Sequence, residues 1–348
     1  MNLDKIITHS KPWINKDDHQ SVRNILEGGM IAHGEMSKKF ERLVSNYINS
    51  ENVMTCNSGT SALILSLKYL GVGKGDEVVI PTYVCLDVLS AVFFVGATPK
   101  ISDVNEFGVL DENCISNVFS NKTKAIIAVH IFGHICDIIS LKKFNVPIIE
   151  DACHAFGLKI NNRYAGTLGT FGVFSFHATK CLTTGQGGML VSNDDNLVKK
   201  VSKNFPSNSE NHINGFLLSD LQSALGISQL NRYSDFLKKR KTIFKKYDEA
   251  LQKLKTCRPA YKMNSSFLFR FTIRNKYSFE KLQNKFFSRK IIIKKGVDTL
   301  VHNSLNLKDS NFPNALNLFK EVISIPFYPS LSEEEINRVL ISIDKILK

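Results

Sequence analysis

Several classes of protein are excluded by what this chain lacks. No stretch of its 348 residues approaches eighteen consecutive apolar side chains, so no membrane-spanning helix is expected. The first residues, MNLDKIITHSKPW, contain no uninterrupted apolar core of signal-peptide length. Cysteine is sparse and unpatterned. The seven residues (Cys56, Cys85, Cys114, Cys136, Cys153, Cys181, Cys257) are odd in number and include no C-x-x-C pair, which fits reduced thiols rather than a disulfide framework or zinc knuckle. Neither a Walker lysine motif nor a GxGxxG fingerprint is present, so nothing indicates a nucleoside triphosphatase or a Rossmann dehydrogenase. Internal repeats and low-complexity tracts are also missing. These absences describe a soluble cytoplasmic protein.

With 43% apolar residues the chain has enough to bury a sizeable core, and its length suggests two domains of about 100–200 residues each. Forty-five Lys and Arg against 32 Asp and Glu leave a net charge of +13. Such an excess favours an anionic partner, whether nucleic acid, an acidic membrane or a phosphorylated small molecule, unless it only keeps the chain soluble. The densest run, KKRKTIFKK (238–246), has six basic residues in nine. No aromatic interleaving accompanies it, so it reads as a solvated helix face and nucleic-acid binding is not expected.

From residue 52 strand-like and helix-like segments alternate. NVMTC (52–56), EVVIP (77–81), TPKISDV, KAIIAVH (124–130) and VPIIED (146–151) read as strands, with helices at 60–70, 85–95, near 111–119 and near 137–144. Strands separated by single helices and lacking polar alternation predict a mostly parallel sheet covered on both faces. FGVFSFH and GGMLVSN extend it with little helix between them, which leaves room for an antiparallel member. Ser219 and Gln222 form a capping-box pattern before a helix expected from 220 to 254. A smaller α+β unit follows, with a strand at 267–275, a helix at 278–290, a short strand at 291–293 and a final helix at 332–347.

Three segments carry chemistry. NSGTS (57–61) lies between a strand end and a helix start, where free N–H groups and the helix dipole receive a phosphate. IIEDACHAFG (148–157) ends a strand in Glu150 and Asp151, placing a carboxylate at the edge where open α/β sheets bind ligands; such a group needs a cation, a metal or water. Lys180, in HATKCLTTGQGG, follows an apolar strand and precedes a glycine-rich loop, a setting in which a desolvated amine forms Schiff bases. Phosphate anchor, carboxylate and imine-forming amine together match pyridoxal phosphate. His130 and His134 stand four apart with Cys136 and Asp137 nearby, but IFG separates them at a strand end, so no metal site is expected. Arg270 and Arg274 are candidates for gripping a carboxylate or pyrophosphate, with surface residence the simpler reading.

In the same order along the chain, NSGTSALILSLKYLGVGKGDEVVIPTYV, TKAIIAVHIFGHICDI, PIIEDACHAFG, GTLGTFGVFSFHATKCLTTGQGGMLVSND, SDLQSALGISQL and ISIPFYPSLSEEE resemble the sugar-nucleotide aminotransferases of the DegT/StrS group. The resemblance implies an α/β fold of the aspartate-aminotransferase type (fold type I). A large cofactor domain over 1–235, including the N-terminal segment, would join a small C-terminal domain over 236–348 through the helix 220–254. It further implies a homodimer with active sites at the interface.

By the same resemblance, Lys180 holds pyridoxal 5'-phosphate covalently and moves protons as the cofactor passes through its pyridoxamine form. Asp151 keeps the pyridine nitrogen protonated, His154 stands near the ring hydroxyl, and Gly59, Thr60, Ser61 and Ser175 cradle the phosphate. Cys85 replaces the aromatic residue that many relatives stack on the ring. His177, Gln186 (in place of Glu) and Asn214 are the candidate substrate contacts; Gly215 stands where relatives carry an Asn that reaches the neighbouring subunit's phosphate, and Leu217 where they carry an Arg. The implied reaction moves an amino group from glutamate to a nucleotide-linked keto sugar, a 4-keto-6-deoxyhexose before a 3-keto sugar, for deoxyamino-sugar or surface-polysaccharide synthesis. The family's dehydratase branch, in which the lysine is replaced, and a non-catalytic regulatory member are the alternatives. The presence of Lys180 counts against the dehydratase.

Overall fold

The computed structural model describes residues 5–192, 215–261 and 269–348. Nine strands precede residue 193: β1 (Asn52–Cys56), β2 (Glu77–Pro81), β3 (Thr98–Ser102), β4 (Thr123–Val129), β5 (Ile148–Asp151), the two-residue pair β6 (Lys159–Ile160) and β7 (Arg163–Tyr164), β8 (Phe171–Ser175) and β9 (Gly188–Ser192). Seven of them form one sheet in the order β1-β9-β8-β5-β4-β2-β3. β2 pairs in parallel with β3 and β4, β4 with β5, and β5 with β8. β9 runs antiparallel between β8 and β1 and is the exception the sequence left room for. The α/β class with a mostly parallel sheet is therefore observed.

That one reversal positions the functional edge. A strand returning beside its predecessor needs no crossover helix, so residues 176–187 become a loop over the carboxyl ends of β8, β5 and β1. Cys56 and Ser175 both face Gly188 across the ladders, which brings the entry to the next helix beside the end of β8. Parallel strands buried on both faces supply the core, with Val79, Ile127, Ile149, Val173 and Leu190 fully buried.

Two helices that the periodicity did not reveal open the chain: α1 (Lys16–Gly28), capped reciprocally by Asn15 and Asp18, and α2 (Glu35–Ile48). After β1 and β2 come α3 (Gly59–Tyr69) and α4 (Leu86–Phe94). The 220–254 pattern is not one helix. It divides into Asp220–Asn231 and Tyr233–Leu251 at Arg232, whose φ of −106° and ψ of 6° leave the helical range. A physical cause is at hand: the Arg232 guanidinium is drawn to buried Asp18 at 2.5 Å, and Asp18 also accepts from Ser228 and Gln229.

A second, wholly antiparallel sheet follows, formed by β10 (Cys257–Pro259), β11 (Phe271–Asn275), β12 (Lys294–Lys295) and β13 (Val322–Ile325) in the order β10-β11-β13-β12. It has its own core around Tyr247, Phe271, Ile323 and Val339. The short strand expected at 291–293 lies instead at 294–295. Ile291 is held by an isolated bridge to Ile7 near the start of the chain, which takes the ladder position a neighbouring strand would need. His9, two residues on, pairs its Nε2 with Ser324 Oγ at 2.8 Å. Among the described residues no helix is long and apolar enough to cross a membrane.

Candidate active site

The strand-edge loop, the end of β5 and the start of α3 bring most of the predicted residues together. Ser58 caps α3, its Oγ accepting from Ser61 N–H at 3.0 Å. The Ser61 hydroxyl is spent locally, donating to Asn57 Oδ1 at 2.5 Å. Among the described residues this leaves the Gly59 and Thr60 N–H groups uncommitted at the positive end of the helix. Glycine gives Gly59 a close fit here. A Cβ would stand 3.1 Å from Ser175 Cβ and 3.2 Å from Cys153 Sγ, so the helix start is pressed between the ends of β8 and β5.

Asp151 is 5% exposed. Its Oδ1 accepts from Cys153 N–H at 3.1 Å, and no Lys, Arg or His nitrogen stands within ion-pair distance among the described residues. Its neighbour Glu150 points to the other face of the sheet and is saturated. Oε1 accepts from the N–H groups of Leu168 and Gly169, each at 2.5 Å, and Oε2 from Gly166 N–H and His130 Nε2. Burial pushes the Glu150 carboxyl up, but the His130 hydrogen bond and the glycine N–H groups outweigh it and hold the group below its ordinary 4.5. Two adjacent carboxylates thus differ sharply, one fully partnered and structural, the other still in need of a cation.

Lys180 sits half-buried in the 176–187 loop, its backbone N–H bonded to His177 O. Its Nζ lies 5.1 Å from the centre of the Phe269 ring. The same ring stacks on His154, with centroids 4.0 Å apart. Behind His154, Phe132 donates its N–H to His154 Nδ1 at 3.3 Å from a left-handed backbone, φ 56°, a conformation costly for an aromatic residue and typical of functional sites. Burial, with the Lys180 and Arg270 charges in support, holds His154 well below its ordinary 6.5. A neutral ring that accepts at Nδ1 carries its proton on Nε2, ready to donate. Cys85 lies at the start of α4. Desolvation and the Asp151 charge raise its thiol to about 11 while the Lys180 charge opposes them, so the three groups share one neighbourhood.

The remaining expectations separate. His177 turns its Nδ1 to Thr179 Oγ1 at 2.9 Å; burial first, then the Lys180 charge, lowers its pKa. Gln186 is exposed, and its carbonyl accepts from Thr184 and Gln222. Asn214 lies outside the described residues. Gly215 is exposed and Leu217 packs at the edge of the large core. His130 and His134 address different groups, Glu150 and the Ala260 carbonyl, and among the described residues no His, Cys, Asp and Glu cluster is placed to hold a metal. Arg270 is not a free surface residue. It borders a cleft together with Lys180, His9, Arg240 and Phe327. Arg240, expected on a solvated face, is buried and donates to the Phe327 and Phe269 carbonyls, whereas Lys238, Lys239, Lys241 and Lys245 are exposed. Phe132 and Phe269 went unnoticed in the sequence because they read there as ordinary core aromatics.

A half-buried lysine, a carboxylate awaiting a cation and an open helix start meet at one sheet edge, the arrangement a transaminase needs. The chain belongs to the DegT/DnrJ/EryC1/StrS aminotransferase family, which it matches over residues 12–344. It is 30% identical to a GDP-perosamine synthase of Escherichia coli O157:H7, covering 98% of each chain. It is 29% identical to the spore coat polysaccharide biosynthesis protein SpsC of Bacillus subtilis (strain 168), covering 98% of this chain and 97% of that one. Among solved structures it resembles the putative sugar aminotransferase Spr1654 from Streptococcus pneumoniae in its PMP form, with a TM-score of 0.88 and 26% identity over 98% of this chain and 97% of that one.

Proposed function

We propose that the protein is a pyridoxal phosphate-dependent enzyme that moves an amino group from glutamate to a keto group of a nucleotide-linked sugar in the cytoplasm. A 4-keto-6-deoxyhexose is the favoured acceptor and a 3-keto sugar the next, for deoxyamino-sugar or surface-polysaccharide synthesis. The observation that carries this reading is the single edge shared by Lys180, Asp151 and the start of α3. The residues fit the cofactor: the nearly buried Asp151 carboxylate lacks the cation it needs, and a protonated pyridine nitrogen supplies one. The Gly59 and Thr60 N–H groups suit its phosphate, with the Thr60 and Ser175 hydroxyls beside them.

When bound, the cofactor acts as an electron sink for the carbon that carries the nitrogen. The protein does the rest. Lys180 would tether the cofactor and, once released, its Nζ would carry the proton between the nitrogen-bearing carbon of the substrate and the cofactor carbon joined to the same nitrogen. Asp151 keeps the ring nitrogen protonated. Neutral His154 would donate from Nε2 to the ring oxygen, its plane fixed by Phe269 and Phe132. Cys85 would offer the ring face a small contact instead of an aromatic stack.

The assembly proposed is a homodimer of chains divided into 1–235 and 236–348, with active sites at the interface. It is supported by α4, which follows Cys85 and exposes Leu86, Phe93 and Phe94. Sedimentation at micromolar concentration tests it. The reaction is tested by adding pyridoxal phosphate to purified protein and following its visible absorbance. Glutamate is expected to bleach the band with release of 2-oxoglutarate, and Lys180→Ala to lack the lysine-dependent band. A colourless wild-type protein overturns the reading. A panel of 3-keto and 4-keto sugar nucleotides, with products identified by mass and NMR, then distinguishes the acceptors.

A further inference from the structure

One wall of the cleft beside Lys180 is a single run of chain, the five consecutive residues from His9 to Trp13. They belong to no helix or strand, yet the run is fastened at both ends. Ile7 bridges Ile291, and His9 Nε2 pairs with Ser324 Oγ at 2.8 Å. At the other end the Trp13 carbonyl accepts from Gln229 Nε2 at 3.1 Å and from Arg232 Nη2 at 3.4 Å. The Trp13 ring lies on Phe236, their centroids 5.3 Å apart, with the Arg232 guanidinium carbon 6.0 Å from the indole. A loop clasped by distant elements in this way is suited to recognition.

The basic groups of the cleft are not equivalent. His9 is neutral, because burial, with the Arg270 and Lys294 charges, lowers its pKa to about 3. Arg240 donates to the Phe327 and Phe269 carbonyls, and Arg270 to those of Gly296 and Lys295. Lys180 is the reacting amine. Lys11, in the middle of the fastened run, is exposed at the rim. Among the described residues no carboxylate lies within ion-pair distance of it, and no carboxylate side chain lines the cleft.

We propose that the 9–13 wall recognises the acceptor and that Lys11 receives the diphosphate of the nucleotide-linked sugar. The inference rests on the aminotransferase reading above and deepens it by naming a residue for that substrate's anion. In a 3-keto or 4-keto sugar the diphosphate is on the anomeric carbon, across the ring from the carbon that must meet Lys180. With the reacting carbon inside the cleft, the anion is left toward the opening. A cation at the rim, apart from the reacting amine, suits that spacing. A diphosphate at the opening also keeps much of its water, and a strongly hydrated ammonium on a flexible stem matches it there, whereas a buried anion would call for a guanidinium fork. Because no carboxylate lines the cleft, the approach meets no like charge.

Trp13 is the chain's single tryptophan and ends this wall, so its fluorescence reports binding without any reaction. Holoenzymes of the wild type, Lys11→Gln and Lys11→Glu are titrated with UDP, GDP and dTDP as probes, and calorimetry covers binding that leaves the fluorescence unmoved. K11Q is expected to weaken binding about three- to fivefold and K11E about tenfold. The wild type should lose affinity faster than K11Q as salt rises. Lys245→Gln removes the same charge from an exposed helix face elsewhere and should leave the affinity unchanged. Equal affinity in wild type and K11E overturns the proposal, as does equal weakening in K245Q, which marks an effect of net charge alone. A wild type that binds none of the three diphosphates overturns it too. If K11E fails to fold, K11Q carries the comparison. The aminotransferase reading is judged separately, by bleaching of the cofactor band with glutamate: without that bleaching the reading fails, while diphosphate binding that depends on Lys11 would still keep the anion site.

Discussion

The imidazole of His154 and the ring of Phe269 lie face to face, their centroids 4.0 Å and their planes 14° apart. One belongs to the turn after β5 and the other to the chain entering β11, so the antiparallel sheet supplies a wall to a site otherwise built on the parallel one. The arrangement keeps His154 neutral, and this has a pH signature. Its folded pKa is depressed below the ordinary 6.5. The stabilisation is complete above the unfolded value, erodes as pH falls below it, and is gone once pH has passed through the folded value. His154→Gln is expected to lose less stability than wild type between pH 6.5 and about pH 5. Urea midpoints measured across that range check it.

Glu150 gives a second signature of the same sign in a more acidic window. Its folded pKa lies below 4.5, so its contribution is present above that value and is lost as pH falls through the folded one. Glu150→Gln places an amide among donors that need an acceptor and is expected to cost about 3–5 kcal/mol at neutral pH. The gap from wild type should narrow in acid. Chemical denaturation of both proteins at neutral and acidic pH measures it.

Asp151→Asn should leave the fold intact, since the carboxylate has few protein partners. Removing the negative charge proposed to face the cofactor nitrogen is expected to slow the transfer, since about 3–5 kcal/mol is typical for breaking a buried ion pair. Single-turnover bleaching by glutamate, compared with the cofactor's own dissociation constant, separates a lost rate from a lost ligand.

Gly59→Ala adds a methyl 3.1 Å from Ser175 Cβ and 3.2 Å from Cys153 Sγ. The start of α3 must then lift by a few tenths of an ångström, at a cost of about 1–3 kcal/mol. Phosphate contacts made by rigid N–H groups do not tolerate that displacement well. Weaker cofactor binding in a spectroscopic titration, with the lysine-dependent band retained, is the expected result.

The parallel strands were legible because they are uniformly apolar and are punctuated by Gly71 and Gly96. Lys180 and Asp151 stood out because one follows such a strand and the other ends one, and the structure puts both at the same sheet edge. Less legible was whatever depended on distant chain. Arg232 breaks a helix because Asp18, more than two hundred residues earlier, attracts it. Arg270 and Arg240 looked like surface charges because nothing local tells that carbonyls and aromatic rings from other elements close around them. α1 and α2 escaped because their polar residues obscure the buried stripe, which on α2 is Phe40, Val44 and Ile48.

The bridge from Ile7 to Ile291 and the pairing of His9 with Ser324 also order events in time. During synthesis, Ile7 and His9 leave the ribosome long before their partners, Ile291 and Ser324, have been made. The parallel sheet, complete by residue 192, assembles from nearer contacts, and long-range pairings of this kind close late. His9 lines the cleft beside Lys180, so the nascent protein gains the edge that carries its chemistry before it gains the wall that encloses it.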